Sequence, residues 1–149
     1  MDYNINDDDK QLLTLAAIAS DFKIHFEYEN ANYGSDVQPT WVEYSCIAPP
    51  TGESYGATKW NPLKYDADAF RLAVSLSICM EPWTNFEMGK VFKCTANITD
   101  AKNLRDDHCH GASEVHNEDP FGASRRAVVR VAATIGSKIL EQKNKESIK

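Results

Sequence analysis

The feature that most constrains the fold is a change of hydrophobic period near residue 22. Leu12, Leu15, Ala16 and Ala19 recur at helical spacing, whereas Phe22, Ile24, Phe26 and Tyr28 fall on every second position. The first spacing gives a helix one apolar stripe. The second gives a strand one apolar face and one wet face. A chain that switches between them within a few residues has to pack helix against sheet, because neither element can bury its apolar side alone.

The rest of the chain extends that pattern. A helix is expected from about Asp7 to Ser20, with Asn6 able to cap it and Asp7, Asp8 and Asp9 at the positive end of its dipole. Strands are expected at Phe22–Glu29 and Trp41–Ile47, separated by an Asn-, Gly-, Ser- and Pro-containing loop from Asn30 to Pro39. A turn-rich connection, Pro49 to Gly56, follows. Trp60-Asn61-Pro62-Leu63 then leads into a second helix, Asp66 to Met80, with Pro62 suited to a first-turn position. Phe70, Leu72, Ala73, Val74, Leu76, Ile78 and Cys79 leave that helix little polar face, so it is expected to be the central core helix, ended by Pro82.

Val91–Ile98 is β-rich, and Trp83–Met88 can pair with it across Gly89-Lys90. From Asp100 to Asp119 six acids and two bases give a local charge of −4, too polar for core but able to carry a short strand. Asp119-Pro120 is a cap and first-turn signal. A last helix, Arg125 to Gln142, carries Val128, Val131, Ile135 and Ile139 on one stripe, and the charged tail from Lys143 is expected to fray. The order α-β-β-α-β-β-α, with short connections, predicts an α+β fold: a single antiparallel sheet of about four strands with helices packed on its faces. At 149 residues it is one domain.

Composition excludes several classes of function. The net charge of −6 argues against direct DNA binding, which needs a basic surface. The longest apolar run, Leu12 to Ala19, is broken by Thr14 and is too short to span a membrane. The acidic opening has no basic n-region followed by an apolar segment, so a cytoplasmic protein is expected. Cys46, Cys79, Cys94 and Cys109 are far apart with no C-x-x-C, consistent with reduced thiols, and Cys46 and Cys79 are expected to pack as small hydrophobes. No Walker or Rossmann glycine spacing, G-x-S-x-G or H-E-x-x-H occurs, so no catalytic residue is assigned and no enzyme is expected.

Two stretches resemble a known group. Trp60-Asn61-Pro62-Leu63 with Asp66-Ala67-Asp68-Ala69-Phe70-Arg71-Leu72-Ala73-Val74, and Ala123-Ser124-Arg125-Arg126-Ala127-Val128-Val129-Arg130-Val131-Ala132-Ala133, resemble small phage and prophage proteins of the NinX-like, or phage ABA sandwich, group. The resemblance covers roughly Trp60 to Gly136. It implies helix–sheet–helix layering and an accessory role in a phage or mobile element. The activity of the group is unassigned, so no catalytic residue carries over.

Three sets of residues are candidates for chemistry. His108, Cys109 and His110, with His116 and Cys94, offer the imidazole and thiolate that zinc prefers. The spacing fits no familiar finger, and alternation along an extended segment lets His108 and His110 share a face that Cys109 cannot. The alternative is a polar loop that carries histidines by composition, and no cofactor beyond this zinc site is implied. Arg125, Arg126 and Arg130 form the one basic patch. It suits an anion, a nucleotide or an acidic partner, or else salt bridges to the acidic segment, whose Asp106 and Asp107 are themselves candidates for partner contact. Tyr33 and Tyr55, in polar loops, are suited to anchoring a partner.

The function these features favour is stoichiometric binding to a host protein in the host cell cytoplasm. Such a protein would inhibit a bacterial defence system such as CRISPR–Cas, its acidic face meeting a surface that holds nucleic acid. The alternative is a small-molecule, nucleotide or zinc protein using the arginine patch or the His108–His116 segment.

Overall fold

The computed structural model describes residues 5–31, 41–48, 57–85, 89–97, 109–115 and 119–148. The elements are α1 (Asp7–Ala19), β1 (Lys23–Asn30), β2 (Trp41–Ala48), β3 (Thr58–Lys59), α2 (Asp66–Ser75), β4 (Ile78–Asn85), β5 (Gly89–Asn97), β6 (Cys109–Val115) and α3 (Pro120–Ser147). The α+β class with antiparallel pairing is as expected. The strands divide, however, into two three-stranded sheets, β1-β2-β3 and β4-β5-β6, where a single sheet was anticipated.

Local chemistry explains where the elements begin. The Asn6 side chain accepts a hydrogen bond from the Asp9 amide at 2.8 Å, and three aspartates occupy the first turn of α1. Asp119 does the same for α3, accepting from the Gly122 amide at 2.8 Å, with Pro120 just inside the helix. Helix α3 therefore starts five residues before Arg125. It runs on through the charged stretch after Lys143, which is helical where fraying was anticipated. At 28 residues it is about 42 Å long.

Helix α2 is shorter than expected and is not the core helix. It ends at Ser75 because Ser77 adopts a left-handed conformation (φ 53°), and Ile78 enters β4. The residues from Ile78 onward, read as a helical end, instead pair with β5, Ile78 opposite Ala96 and Asn85 opposite Gly89. Gly89 and Lys90 thus belong to a strand rather than to a turn. Pro82 lies inside β4, which is tolerable because β4 is an edge of its sheet. Pro62 also departs from the expectation: it is buried in the turn that precedes α2, whose cap is Tyr65. Only Asp68, Ala69, Leu72 and Ala73 of α2 are buried, while Phe70 and Val74 are 59% and 63% exposed.

The core belongs to α1 and α3. Leu13, Ala16 and Ala17 meet Val128, Ala132 and Ile135 in one cluster that also takes in Trp60, Leu72, Ile78 and Ala112. Small residues let the two helices approach closely, and Gly136 lies directly against the backbone of Leu15. The first sheet packs against α1 through Ile24, Phe26 and Ile47, and the second packs against α3. Cys46 is buried as expected, and burial pushes its thiol pKa up, with Glu27 adding to the shift. Cys79 is exposed, because its segment is a strand with one open face and not a buried helix.

Candidate functional site

The site grows out of the mismatch between β2 and β3. Register pairs Cys46 with Lys59 and Ile47 with Thr58. One step further the Trp60 amide donates to the Ser45 carbonyl at 2.9 Å, and the buried Ser45 hydroxyl donates to the Trp60 carbonyl. The chain then turns away. Asp68 accepts from the Asn61 amide at 2.9 Å, the Asn61 side chain accepts from the Leu63 amide at 3.1 Å, and the Tyr65 amide donates to the Asn61 carbonyl at 2.8 Å. Pinned in this way, the turn leaves the first half of β2 without a neighbouring strand on that side among the described residues.

The gap is a cleft of about 410 Å³, within the range of small-ligand pockets. Its walls come from β2 with Glu29 of β1 and Lys59 of β3, from the 61–65 turn, and from the N-terminal parts of α1 and α3. Asp9, Glu29, Glu43 and Asp119 line it alongside Lys59, Lys64, Arg125 and Arg126, so its formal charges balance. Most of these are already paired. Lys59 bonds Glu29 and lies over the Tyr44 ring, Arg126 reaches Asp9 at 3.1 Å, and the nearby Lys10 reaches buried Glu43 at 2.8 Å. The Glu43 carboxylate raises the Lys10 pKa, and the hydrogen bond Tyr44 donates to Glu27 at 2.6 Å pushes the Tyr44 phenol up to about 12.

The arginines of the basic patch are divided among different parts of the fold. Arg125 donates through Nε to the Leu63 carbonyl at 2.9 Å and pairs with Asp66 at 2.5 Å and Asp119 at 3.7 Å. Arg126 ties α3 to α1 through Asp9. Arg130 pairs with Glu114 of β6 at 2.5 Å. Two of these carboxylates, Asp119 and Glu114, come from the acidic segment. Asp66 and Asp9 do not. The patch therefore acts as a set of ties between α3 and its neighbours, and only Arg125 and Arg126 reach the cleft.

Tyr33, Tyr55, Asp106, Asp107, His108 and His116 lie outside the described residues. Register pairs Cys94 with Ala112 and Ala96 with His110, so Cys94 and His110 take successive positions on one face of the second sheet, while Cys109 pairs with Asn97 on the other. Among the described residues no three His, Cys, Asp or Glu gather as metal ligands.

Sequence alternation missed two surface residues. Tyr28 and Trp41 share the sheet face that buries Phe26, Glu43 and Ser45, so alternation places them inside. They are 60% and 59% exposed, toward the end of the β1–β2 ladder where Asn30 pairs with Trp41. No family model matches the chain, and no match was found among curated proteins or among solved structures. Among the described residues no helix is long and apolar enough to cross a membrane.

Proposed function

We propose that this chain is a phage or mobile-element accessory protein that acts by stoichiometric binding to a host protein, as an inhibitor of a bacterial defence system. The observation that carries the reading is the pair Tyr28 and Trp41. Two large aromatic side chains, each more than half exposed, take diagonal positions on one sheet face. Rigid aromatics of this kind supply contact area at low entropic cost and dominate protein interfaces. The acidic first turn of α1 and the net charge of −6 suit a partner whose own surface is basic. Affinity capture from a bacterial lysate tests this. Wild type should retain a specific protein at low salt, and the Tyr28→Ala/Trp41→Ala double variant should lose it. If both retain the same proteins, the reading fails.

A second reading has its own observation: Arg125 and Arg126 line a cleft of ligand size beside the starts of α1 and α3. A nucleotide or other anion bound there would raise the melting temperature in a ligand screen, because a ligand that binds only the native state stabilises it. The zinc version rests on Cys94 and His110 sharing a sheet face, and elemental analysis of the purified protein tests it.

A further inference from the structure

The cleft beside β2 has a property that ordinary pockets lack. Val42, Glu43, Tyr44 and Ser45, four consecutive residues, all line it. A strand that shows a cavity one face offers alternate residues; only its edge offers all of them. The hydrogen-bond pattern agrees. Ser45 directs its backbone groups toward β3, where it bonds Trp60. In an antiparallel strand the direction alternates, so Glu43 and Trp41 direct theirs the same way, Glu43 into the cleft and Trp41 one step beyond its lining, while Val42 and Tyr44 face β1. Among the described residues nothing pairs with those outward groups of Trp41 and Glu43. Unpaired N–H and C=O groups in a recess are a demand for a partner strand or for water.

We propose that the cleft is a strand-addition site, in which an extended peptide segment of a protein partner pairs with the β2 edge at Trp41 and Glu43. The proposal rests on the protein-binding reading above and names its mode. The incoming strand continues the line that β3 leaves at Trp60. Four residues of edge offer about 13 Å of ladder. Its alternate side chains meet Glu43 on one face and Tyr44 with Lys59 on the other, and exposed Trp41 is the next residue along the β2 edge. Because the charges around the cleft balance, the backbone supplies the affinity, and the segment carries no proline where it meets Trp41 or Glu43. Among the described residues the β1 edge is also open, but Lys23, Glu27 and Glu29 give it the charges that deter strand pairing.

The test uses the full chain and a displayed library of random decapeptides. An enriched peptide is resynthesised with a single N-methyl group at each position in turn. Methylation at two alternate positions should weaken binding by about tenfold or more, the loss of a backbone hydrogen bond, and methylation between them should not. In the free protein the Trp41 and Glu43 amides should exchange with solvent faster than those of Val42 and Tyr44, and the peptide should slow them. An absence of enriched peptides, indifference to N-methylation, or protection along β1 instead would overturn strand addition. If that happens while capture from lysate still depends on Tyr28 and Trp41, the binding reading survives without this mode. If capture shows no such dependence, the reading itself is lost.

Discussion

Replacing Gly136 with alanine tests the packing of α1 on α3. A Cβ at this position would lie 2.8 Å from the carbonyl carbon of Leu15 and 3.2 Å from its Cα, and closer still to the carbonyl oxygen. The first distance is about 0.6 Å short of the 3.4 Å at which ordinary contact begins. The obstacle is backbone inside a helix, so no side-chain rotation relieves it. Helix α1 has to move away, loosening Leu13, Ala16 and Ala17 against α3. Overpacking of this kind costs about 1–3 kcal/mol, and a backbone clash belongs at the upper end. Alanine returns about 1 kcal/mol through helix propensity. The net loss is about 2 kcal/mol, or roughly 4–8 °C in melting temperature for a domain of this size. Thermal unfolding followed by circular dichroism measures it, with the exposed Thr134→Ala as a control expected to change little. A Gly136→Ala protein that melts higher than wild type would show propensity acting unopposed, and α1 would not pack where it is described.

Three further outcomes are expected. Asp119→Ala removes the cap on the Gly122 amide and a partner of Arg125, and should cost about 1 kcal/mol of stability, read as a lower urea midpoint with an unchanged slope. Phe70→Ser should change stability by under about 0.5 kcal/mol, whereas Leu72→Ala, two residues away and buried, should cost about 2–5 kcal/mol; equal losses would restore α2 as a fully buried helix. Tyr44 holds its proton more tightly when folded, with its pKa raised from 10.0 to about 12, so its contribution is intact below pH 10 and is lost as the pH rises through about 12. Alkaline stability curves of wild type and Tyr44→Phe should therefore converge over that interval, and parallel curves would refute the Glu27 hydrogen bond as its cause.

Much of this fold is legible in the sequence, for reasons that differ by element. The α1 start and the Asp119-Pro120 start of α3 are readable because caps act locally: Asn6 reaches three residues ahead, and so does Asp119. The β1 alternation is readable because one face of that strand is wet. The end of α2 is not. Leu76, Ile78 and Cys79 continue an apolar pattern that suits a buried helix or a strand equally, and the choice was made by pairing with β5, which no local propensity in that stretch encodes. The division into two sheets is equally non-local, since it turns on where β2 finds its second partner.

The candidate site is less legible still. Arg125 and Arg126 stand out as basic residues, yet their partners Asp66 and Asp9 lie 59 and 117 residues away in sequence. The exposure of Tyr28 and Trp41 is a matter of what packs on that sheet face, which no spacing within β1 or β2 encodes. The open edge of β2 depends on the Asn61 turn that cuts β3 short at Lys59.

The central claim is that this chain acts by forming a stoichiometric complex with another protein. The most direct measurement is the intact mass of whatever the wild-type chain retains from lysate, taken under native conditions beside the Tyr28→Ala/Trp41→Ala variant. The account predicts one complex with a fixed integer ratio of this chain to a single partner, absent from the variant sample. A wild-type chain that emerges alone, or in the same mixture as the variant, would contradict it.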